Sequence, residues 1–244
     1  MSRSVMPHDA TLSRCVALVP AAGIGSRAGT AGPKQYEPLA GRVVIAHTLA
    51  ALAAVPEIDS TLVVLAPDDL AFERHVAPAP NLWVARCGGA SRADSVQQGL
   101  RALRERGVAD DCWVLVHDAA RCLLRPHAVQ RLIAACRDDA VGGLLALPLA
   151  DTLKSAGRDA PARAEATLDR TGKWLAQTPQ MFRLGTLHDA LLEGARRGIA
   201  ITDEASAIEA LGLRPLLVAG DWENFKLTWP PDFALATRLL ETCR

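Results

Sequence analysis

Residues 17–36 read ALVPAAGIGSRAGTAGPKQY, placing an apolar strand, a glycine-rich turn and two fixed cations in one short stretch. Val16 to Val19 suit a buried strand, and Pro20, Gly23, Gly25, Gly29, Gly32 and Pro33 then stop an ordinary helix from following. Such a loop presents backbone N–H groups. Its glycines let the main chain approach a polyphosphate closely and adopt positive φ, while Arg27 and Lys34 bring charge that neutral amides cannot supply. The stretch reads as a cradle for a nucleoside triphosphate, held by backbone and clamped by cations.

Two familiar phosphate motifs do not account for it. Gly23 to Ala28 formally satisfies GxGxxG/A, but a dinucleotide-binding turn opens straight into a helix, and Gly29, Gly32 and Pro33 interrupt this one. The first acids at a second strand end, Asp68 and Asp69, also lie far beyond the usual spacing of ~20 residues. The P-loop pattern GxxxxGK[ST] is absent as well: the nearby lysine sits in Gly32-Pro33-Lys34-Gln35, with no hydroxyl beside it for magnesium. A merely mobile surface loop would explain the glycines. It would not explain the arginine and lysine set among them directly after a buried strand.

Outward from this stretch, 244 residues with 50% hydrophobic content bury a sizeable core without needing a second domain. Lysine plus arginine equals aspartate plus glutamate at 27 each, and no basic run would track a nucleic-acid backbone, so no nucleic-acid partner is expected. The six cysteines, at 15, 87, 112, 122, 136 and 243, form no CxxC pair, and several fall inside apolar runs as small hydrophobes. Neither a zinc site nor a disulfide scaffold is expected. Residues 1–14 are polar and read as a flexible N-terminal segment, and the nearly apolar run 43–56 is too short to cross a bilayer. A cytoplasmic, membrane-free location follows from these features.

Strand-like runs at residues 15–20, 61–66, 82–87, 113–117 and 143–147 alternate with amphipathic stretches such as 44–54, 91–106 and 127–137. The alternation predicts an α/β fold, a mostly parallel sheet with helices on both faces. Ligands of such sheets bind beyond the carboxyl ends of the strands. The first strand delivers the glycine loop there. The third delivers Gly88-Gly89-Ala90-Ser91-Arg92-Ala93-Asp94-Ser95, whose hydroxyls can cap the next helix or meet a ribose or base; a helix cap is at least as good a role for Ser91 as a ligand contact. The fourth ends in His117-Asp118-Ala119-Ala120-Arg121, where aspartate and arginine can bind hydroxyls, phosphate or magnesium-bound phosphate, or pair with each other. His117, alone at a strand end, reads as a structural group.

Taken together, GIGSR, PKQY, GGASRADSV, VHDAAR, DRTGKWLAQTPQ, ITDEAS and NFKLT occur in one order along residues 15–240, and by them the chain closely resembles the 2-C-methyl-D-erythritol 4-phosphate cytidylyltransferase family. The resemblance implies transfer of CMP from CTP to the phosphate of methylerythritol phosphate with release of pyrophosphate. It further implies a single nucleotidyltransferase-type, Rossmann-like domain over residues 15–244, an inserted dimerisation arm over 150–173, a homodimer with a shared active site, and magnesium.

By the same resemblance Arg27 and Lys34 match the cations that stabilise the CTP phosphates in the transition state. Ala21, Ala22, Gly23 and Gly25, with Gly88 and Ser95, match the nucleotide-binding positions. Asp118 and Arg121 match the acceptor-binding pair, Thr202 a further group at the acceptor phosphate, and Lys226 the cation that positions the nucleophile. Arg170, with Thr152 beside it, matches an arginine reaching the acceptor phosphate from the neighbouring subunit. Independently, residues 151–173 form a polar segment rich in charge and poor in large aliphatics, long enough to be either a functional insertion or a surface loop.

No nucleophile–base pair is visible, and the chemistry explains this. A phosphate monoester has its second pKa near ~6, so the attacking oxygen is already charged at neutral pH. The protein's task is electrostatic: two unit charges ~4 Å apart repel by roughly 4 kcal/mol at an effective dielectric of ~20. Arg27, Lys34, Lys226 and magnesium, with Arg170 at the acceptor, are the cations that can offset this. The triphosphate is expected to carry most of the metal, with Asp118, Glu223 and Asn224 as further candidate ligands. The chain departs from the family pattern at Ala28, Cys122 and Trp229, which bears on local loop shape and, for Trp229, on packing behind Lys226. Its length predicts the single-activity form of the enzyme. Two other readings stand beside this one: a cytidylyltransferase for ribitol 5-phosphate or another polyol phosphate, and a nucleotide-binding protein without turnover.

Overall fold

The computed structural model describes residues 15–23, 32–157 and 161–242. In chain order the first half contains β1 (Cys15–Pro20), a 3-10 turn (Lys34–Tyr36), a short ladder of β2 (Pro38–Leu39) and β3 (Arg42–Val43), α1 (Val44–Ala53), β4 (Ile58–Val64), α2 (Phe72–His75), β5 (Leu82–Ala85), α3 (Arg92–Glu105) and β6 (Trp113–Val116). The second half adds α4 (Pro126–Cys136), β7 (Gly142–Pro148), β8 (Leu153–Ala156), β9 (Ala164–Leu168), β10 (Trp174–Arg183), α5 (Leu184–Arg196), α6 (Glu204–Ala210), β11 (Leu216–Ala219) and α7 (Pro230–Thr242). Seven strands make one sheet in the order β11-β7-β10-β6-β1-β4-β5.

The expected mostly parallel α/β sheet is observed, with one strand reversed. β1 pairs in parallel with both β4 and β6, whereas β10 runs antiparallel between β6 and β7. Alternation along β1 feeds two cores. Cys15, Ala17 and Val19 pack with residues of α1 and α4 on one face, and Val16 and Leu18 pack with residues of α3, α5 and α6 on the other. Both faces are therefore dry, which is why this strand reads as an unbroken apolar run. Burying one leucine such as Leu18 contributes roughly 1.5–3 kcal/mol. Gly99 lets α3 lie close on this face: a Cβ there would sit 2.7 Å from Leu18 Cδ1 and Val64 Cγ2.

Expected and observed boundaries agree closely, save that the strand expected over 61–66 starts earlier, at Ile58. β10 escapes a periodicity reading because its buried centre is Gln177, Thr178, Pro179 and Gln180, and the register with β7 shifts between Ala176 and Gln180. These polar side chains turn out to be bonded within the site described below. The segment 151–173 contains a two-stranded hairpin, β8 paired with β9, whose second strand is wholly exposed. Its base is closed by the Leu149 N–H donating to Lys173 O at 3.0 Å.

Candidate active site

Parallel strands on either side of β1 bring the glycine loop and the VHDAAR turn to the same edge of the sheet. The main chain leaves β1 with Ala21 N–H donating to Val64 O at 2.8 Å, and the neighbouring loop enters with Gly88 N–H on Leu65 O at 2.8 Å. These loops touch. A Cβ on Gly88 would stand 2.2 Å from Ala22 Cβ and 2.8 Å from Leu65 O, so glycine is required for contact between the two nucleotide-loop candidates. The PKQY turn is fastened to the same place by buried Gln35, whose Nε2 donates to Ala21 O at 2.8 Å. Tyr36 holds its far side, donating to Asp69 Oδ2 at 2.6 Å.

A cleft of about 410 Å³ opens beside these loops, with Ala21, Ala22, Gly23, Lys34, Ser95 and Lys226 among its walls. Ser91 caps α3 through a reciprocal pair with Asp94, as its position after the glycines implied. Ser95 Oγ, one turn on, accepts from Gly89 N–H at 3.1 Å and donates to Ser91 O at 2.9 Å, which sets the curve of the glycine turn. Lys34 Nζ donates to Leu227 O at 2.9 Å, joining the PKQY turn to the NFKLT loop and bringing Lys34 and Lys226 to one cleft.

Asp118 stands at the centre of the site. Its Oδ1 accepts from Arg92 Nε at 2.8 Å, and its Oδ2 meets Lys226 Nζ at 2.8 Å. Arg121 Nε approaches Oδ2 at 3.6 Å, close enough for attraction and too far for a hydrogen bond. Burial by itself would raise the Asp118 carboxyl, but Arg92, Lys226 and Arg121 together outweigh it and hold the group well below the usual carboxylate range. Arg92 then turns its two terminal nitrogens onto Glu204, at 2.6 and 3.0 Å. Burial works against the Arg92 charge too, and the carboxylates of Glu204 and Asp118 overcome it, raising the guanidinium further.

A relay of hydrogen bonds fixes the turn that carries Asp118. Asp118 N–H donates to Thr178 Oγ1 at 3.0 Å, Thr178 Oγ1 lies 2.9 Å from His117 Nδ1, and His117 Nε2 lies 3.2 Å from Arg121 O. A carbonyl only accepts, so Nε2 carries the proton and Nδ1 accepts from the threonine hydroxyl. Burial pushes this imidazole down to about 4, which keeps it neutral. His117 is thus the structural group expected of it.

A second cavity of about 210 Å³ adjoins the first and is bounded by Arg121, Thr178, Gln180 and Thr202; Arg92, Asp118 and Lys226 belong to both walls. Arg121 reaches it from a turn braced by Nη1 donation to Asn224 O at 2.7 Å. Thr202 is placed by the α6 cap, where Asp203 and Ser206 bond reciprocally. Of the expected site residues, Ala21, Ala22, Gly23, Lys34, Ser95 and Lys226 line the first cavity, Gly88 packs beneath it, and Arg121 and Thr202 line the second, with Asp118 between. Arg170 and Thr152 lie exposed on the segments flanking the hairpin, and neither lines either cavity. Gly25, Arg27 and Ala28 lie outside the described residues.

No cluster of three or more His, Cys, Asp or Glu suited to a metal occurs among the described residues. Both Asp118 oxygens face cations, Glu223 pairs with Arg125 at 2.6 Å, and Asn224 Nδ2 donates to Thr178 O at 2.8 Å. Asn224 Oδ1, the atom of that side chain able to meet a cation, is buried without a hydrogen-bond partner among the described residues. Of the departing residues, Cys122 fills a small core with Leu39 and Leu227, while Trp229 is exposed and its N–H bonds Asp232 at the start of α7. Arg92, Glu204, Gln35 and Thr178 were not singled out from sequence. The serine cap before Arg92 gave one usable signal, since it aims the first helical side chain back along the cleft.

The chain is similar to known proteins over most of its length. The family model described as IspD, 2-C-methyl-D-erythritol 4-phosphate cytidylyltransferase, matches residues 15–242. The 2-C-methyl-D-erythritol 4-phosphate cytidylyltransferase of Chromobacterium violaceum is 56% identical over 225 residues, covering 92% of this chain and 97% of the relative. The bifunctional enzyme IspD/IspF of Albidiferax ferrireducens is 56% identical over 239 residues, 98% of this chain and 56% of that protein, so the chain spans about half of that relative's length. A crystal structure of 4-diphosphocytidyl-2C-methyl-D-erythritol synthase matches with a TM-score of 0.82 at 42% identity, covering 93% of this chain and 98% of that one.

Proposed function

Because the chain belongs to the 2-C-methyl-D-erythritol 4-phosphate cytidylyltransferase family, we propose that it transfers CMP from CTP to 2-C-methyl-D-erythritol 4-phosphate, releasing pyrophosphate, in isoprenoid precursor synthesis. The observation that carries this reading is the convergence of Lys34 and Lys226 on one cleft beside the glycine loop, with Arg121 and Thr202 in an adjoining cavity. A triphosphate along the first cavity and a polyol phosphate in the second would meet at the wall formed by Asp118, Arg92 and Lys226.

The acceptor phosphate is charged at neutral pH, so its oxygen attacks the α-phosphorus in line with the departing pyrophosphate, and no general base is required. Lys226, held by Asp118, orients that oxygen and offsets the approach of the two anions. Lys34 and Arg27 act on charge developing on the CTP phosphates, where fixed cations cost no reorganisation during reaction. Magnesium on the triphosphate supplies further neutralisation. Ala21, Ala22, Gly23 and Gly25, with Gly88 and Ser95, hold the nucleotide, and their small side chains leave room for cytosine.

The chain works in this reading as a homodimer in the cytoplasm. Supporting the dimer, the hairpin of β8 and β9 is a two-stranded ribbon, a form marginally stable in isolation, and Leu168, Trp174 and Leu175 stand exposed along it and its base. A partner chain would cover them and bring Arg170 and Thr152 to the acceptor phosphate. No helix among the described residues is long and apolar enough to cross a membrane.

Pyrophosphate release measured with CTP, magnesium and each acceptor in turn tests the assignment. Turnover with methylerythritol phosphate is the expected result. Release with ribitol 5-phosphate alone, or CTP binding without any product, would overturn it.

A further inference from the structure

Arg92 is a bridge with three hydrogen-bonding nitrogens in use. Nε goes to Asp118 Oδ1, and Nη1 and Nη2 form a fork onto the two oxygens of Glu204, which is 1% exposed. The fork determines how the guanidinium meets Asp118. With both terminal nitrogens committed to Glu204, Arg92 presents only its edge to the aspartate and leaves Oδ2 for Lys226 at 2.8 Å.

Glu204 is itself held from the sheet. Gln180 of β10 accepts from Ala205 N–H at 2.7 Å and donates to Asp203 Oδ2 at 2.9 Å, gripping the start of α6 on both sides of Glu204. Gln180 thus fixes the backbone that carries Glu204, and from the Glu204 carboxylate polar contacts run through Arg92 and Asp118 to Lys226. Freed from Glu204, the same guanidinium would turn its fork onto the nearest remaining carboxylate. That carboxylate is Asp118, and Lys226 would lose its anchor.

We propose that Glu204 is a positioning residue for phosphoryl transfer: by clamping the Arg92 fork it keeps Asp118 open to Lys226 and so sets the direction of the lysine that orients the attacking phosphate. This deepens the reading above and rests on it. Neither residue needs to touch the reacting atoms for the effect. Lysine cannot replace Arg92, since one ammonium on a flexible stem does not reproduce an edge and a fork held in one plane.

The test is a kinetic cycle with CTP and methylerythritol phosphate. Glu204→Gln keeps the volume and one acceptor oxygen; it is expected to lower kcat at least about tenfold, with calorimetric CTP affinity held within about threefold. In a Lys226→Ala background the same substitution is expected to change kcat little further, because the two residues act in series. An equal loss of kcat in both backgrounds, or a fall in melting temperature with kcat unchanged, would overturn the proposal. Should Glu204→Gln fail to fold, Arg92→Lys enters the same cycle with the same expected non-additivity. A crystal structure of the variant gives a readout independent of turnover: Arg92 turned onto Asp118 with Lys226 displaced supports the role, and an unchanged Lys226–Asp118 contact refutes it. Wild-type protein inactive with methylerythritol phosphate would instead count against the assigned reaction, leaving the structural readout to decide this one.

Discussion

Replacing Asp118 by Asn removes one negative charge from among three cations while barely altering volume. Arg92 and Lys226 each lie 2.8 Å from its oxygens and Arg121 lies 3.6 Å away. At an effective dielectric of ~20, each unit pair ~4 Å apart contributes roughly 4 kcal/mol before desolvation is charged against it. The Asp118 side chain is only 8% exposed, so its desolvation consumes much of that attraction. What remains decisive is the state left behind. Three cations would face one another with Glu204 still paired to Arg92, and removing one partner of such a buried pair costs about 3–5 kcal/mol. Against a total stability of roughly 5–15 kcal/mol, that is a large fraction.

Urea denaturation at neutral pH, followed by circular dichroism, measures the loss. Its pH dependence carries a definite sign. The folded carboxyl lies below its ordinary value of 3.8, so its contribution is complete above that value and disappears as pH falls below it. The gap between wild type and Asp118→Asn should accordingly be full at pH 7 and close in strong acid. Stability at pH 7 unchanged within about 1 kcal/mol would refute the cluster as a source of folding energy, and unchanged turnover would refute Asp118 as the anchor of Lys226.

Three further outcomes are expected. His117 is neutral in the fold with its value near 4 against an ordinary 6.5, so the unfolded chain binds more protons between those limits and stability should fall by about 3 kcal/mol as pH drops across them; His117→Gln should flatten that slope in the same denaturation series, and an unaltered slope would exclude the histidine as its origin. Gly88→Ala should destabilise by about 1–3 kcal/mol, because its Cβ would overlap Ala22 Cβ at 2.2 Å; calorimetry showing an unshifted melting temperature would contradict the close approach of the two loops. Mixing inactive Lys34→Ala and Arg170→Ala chains should restore up to about a quarter of wild-type turnover, since random exchange leaves that share of sites intact if Arg170 acts across a dimer; proven exchange with no recovery would place the whole site within one chain.

Much of this site is legible along the chain where one element supplies both the signal and the function. β1 is apolar because both sheet faces are covered, and the glycines after it mark where the backbone must turn; those two facts located the cleft. The VHDAAR turn was recognisable as a strand end bearing an acid and a base, though not whether they pair. They do approach, at 3.6 Å, while the aspartate's shorter contacts go to Arg92 and Lys226. β10 was harder to see because Gln177, Thr178 and Gln180 are buried by virtue of their partners, and hydrophobic periodicity cannot register a polar side chain whose hydrogen bonds lie elsewhere.

Sequence by itself determined the α/β alternation, the glycine turn after β1 and the candidacy of Lys34, Asp118, Arg121 and Lys226, since burial periodicity, backbone freedom at glycine and side-chain charge are local properties. Tertiary structure alone decided which charges meet. Arg92 and Glu204 are 112 residues apart along the chain and 2.6 Å apart in space. Ion pairing depends on distance and dielectric, and both arise only when the sheet assembles and excludes water, so the electrostatic wiring of the site had no counterpart in any linear pattern.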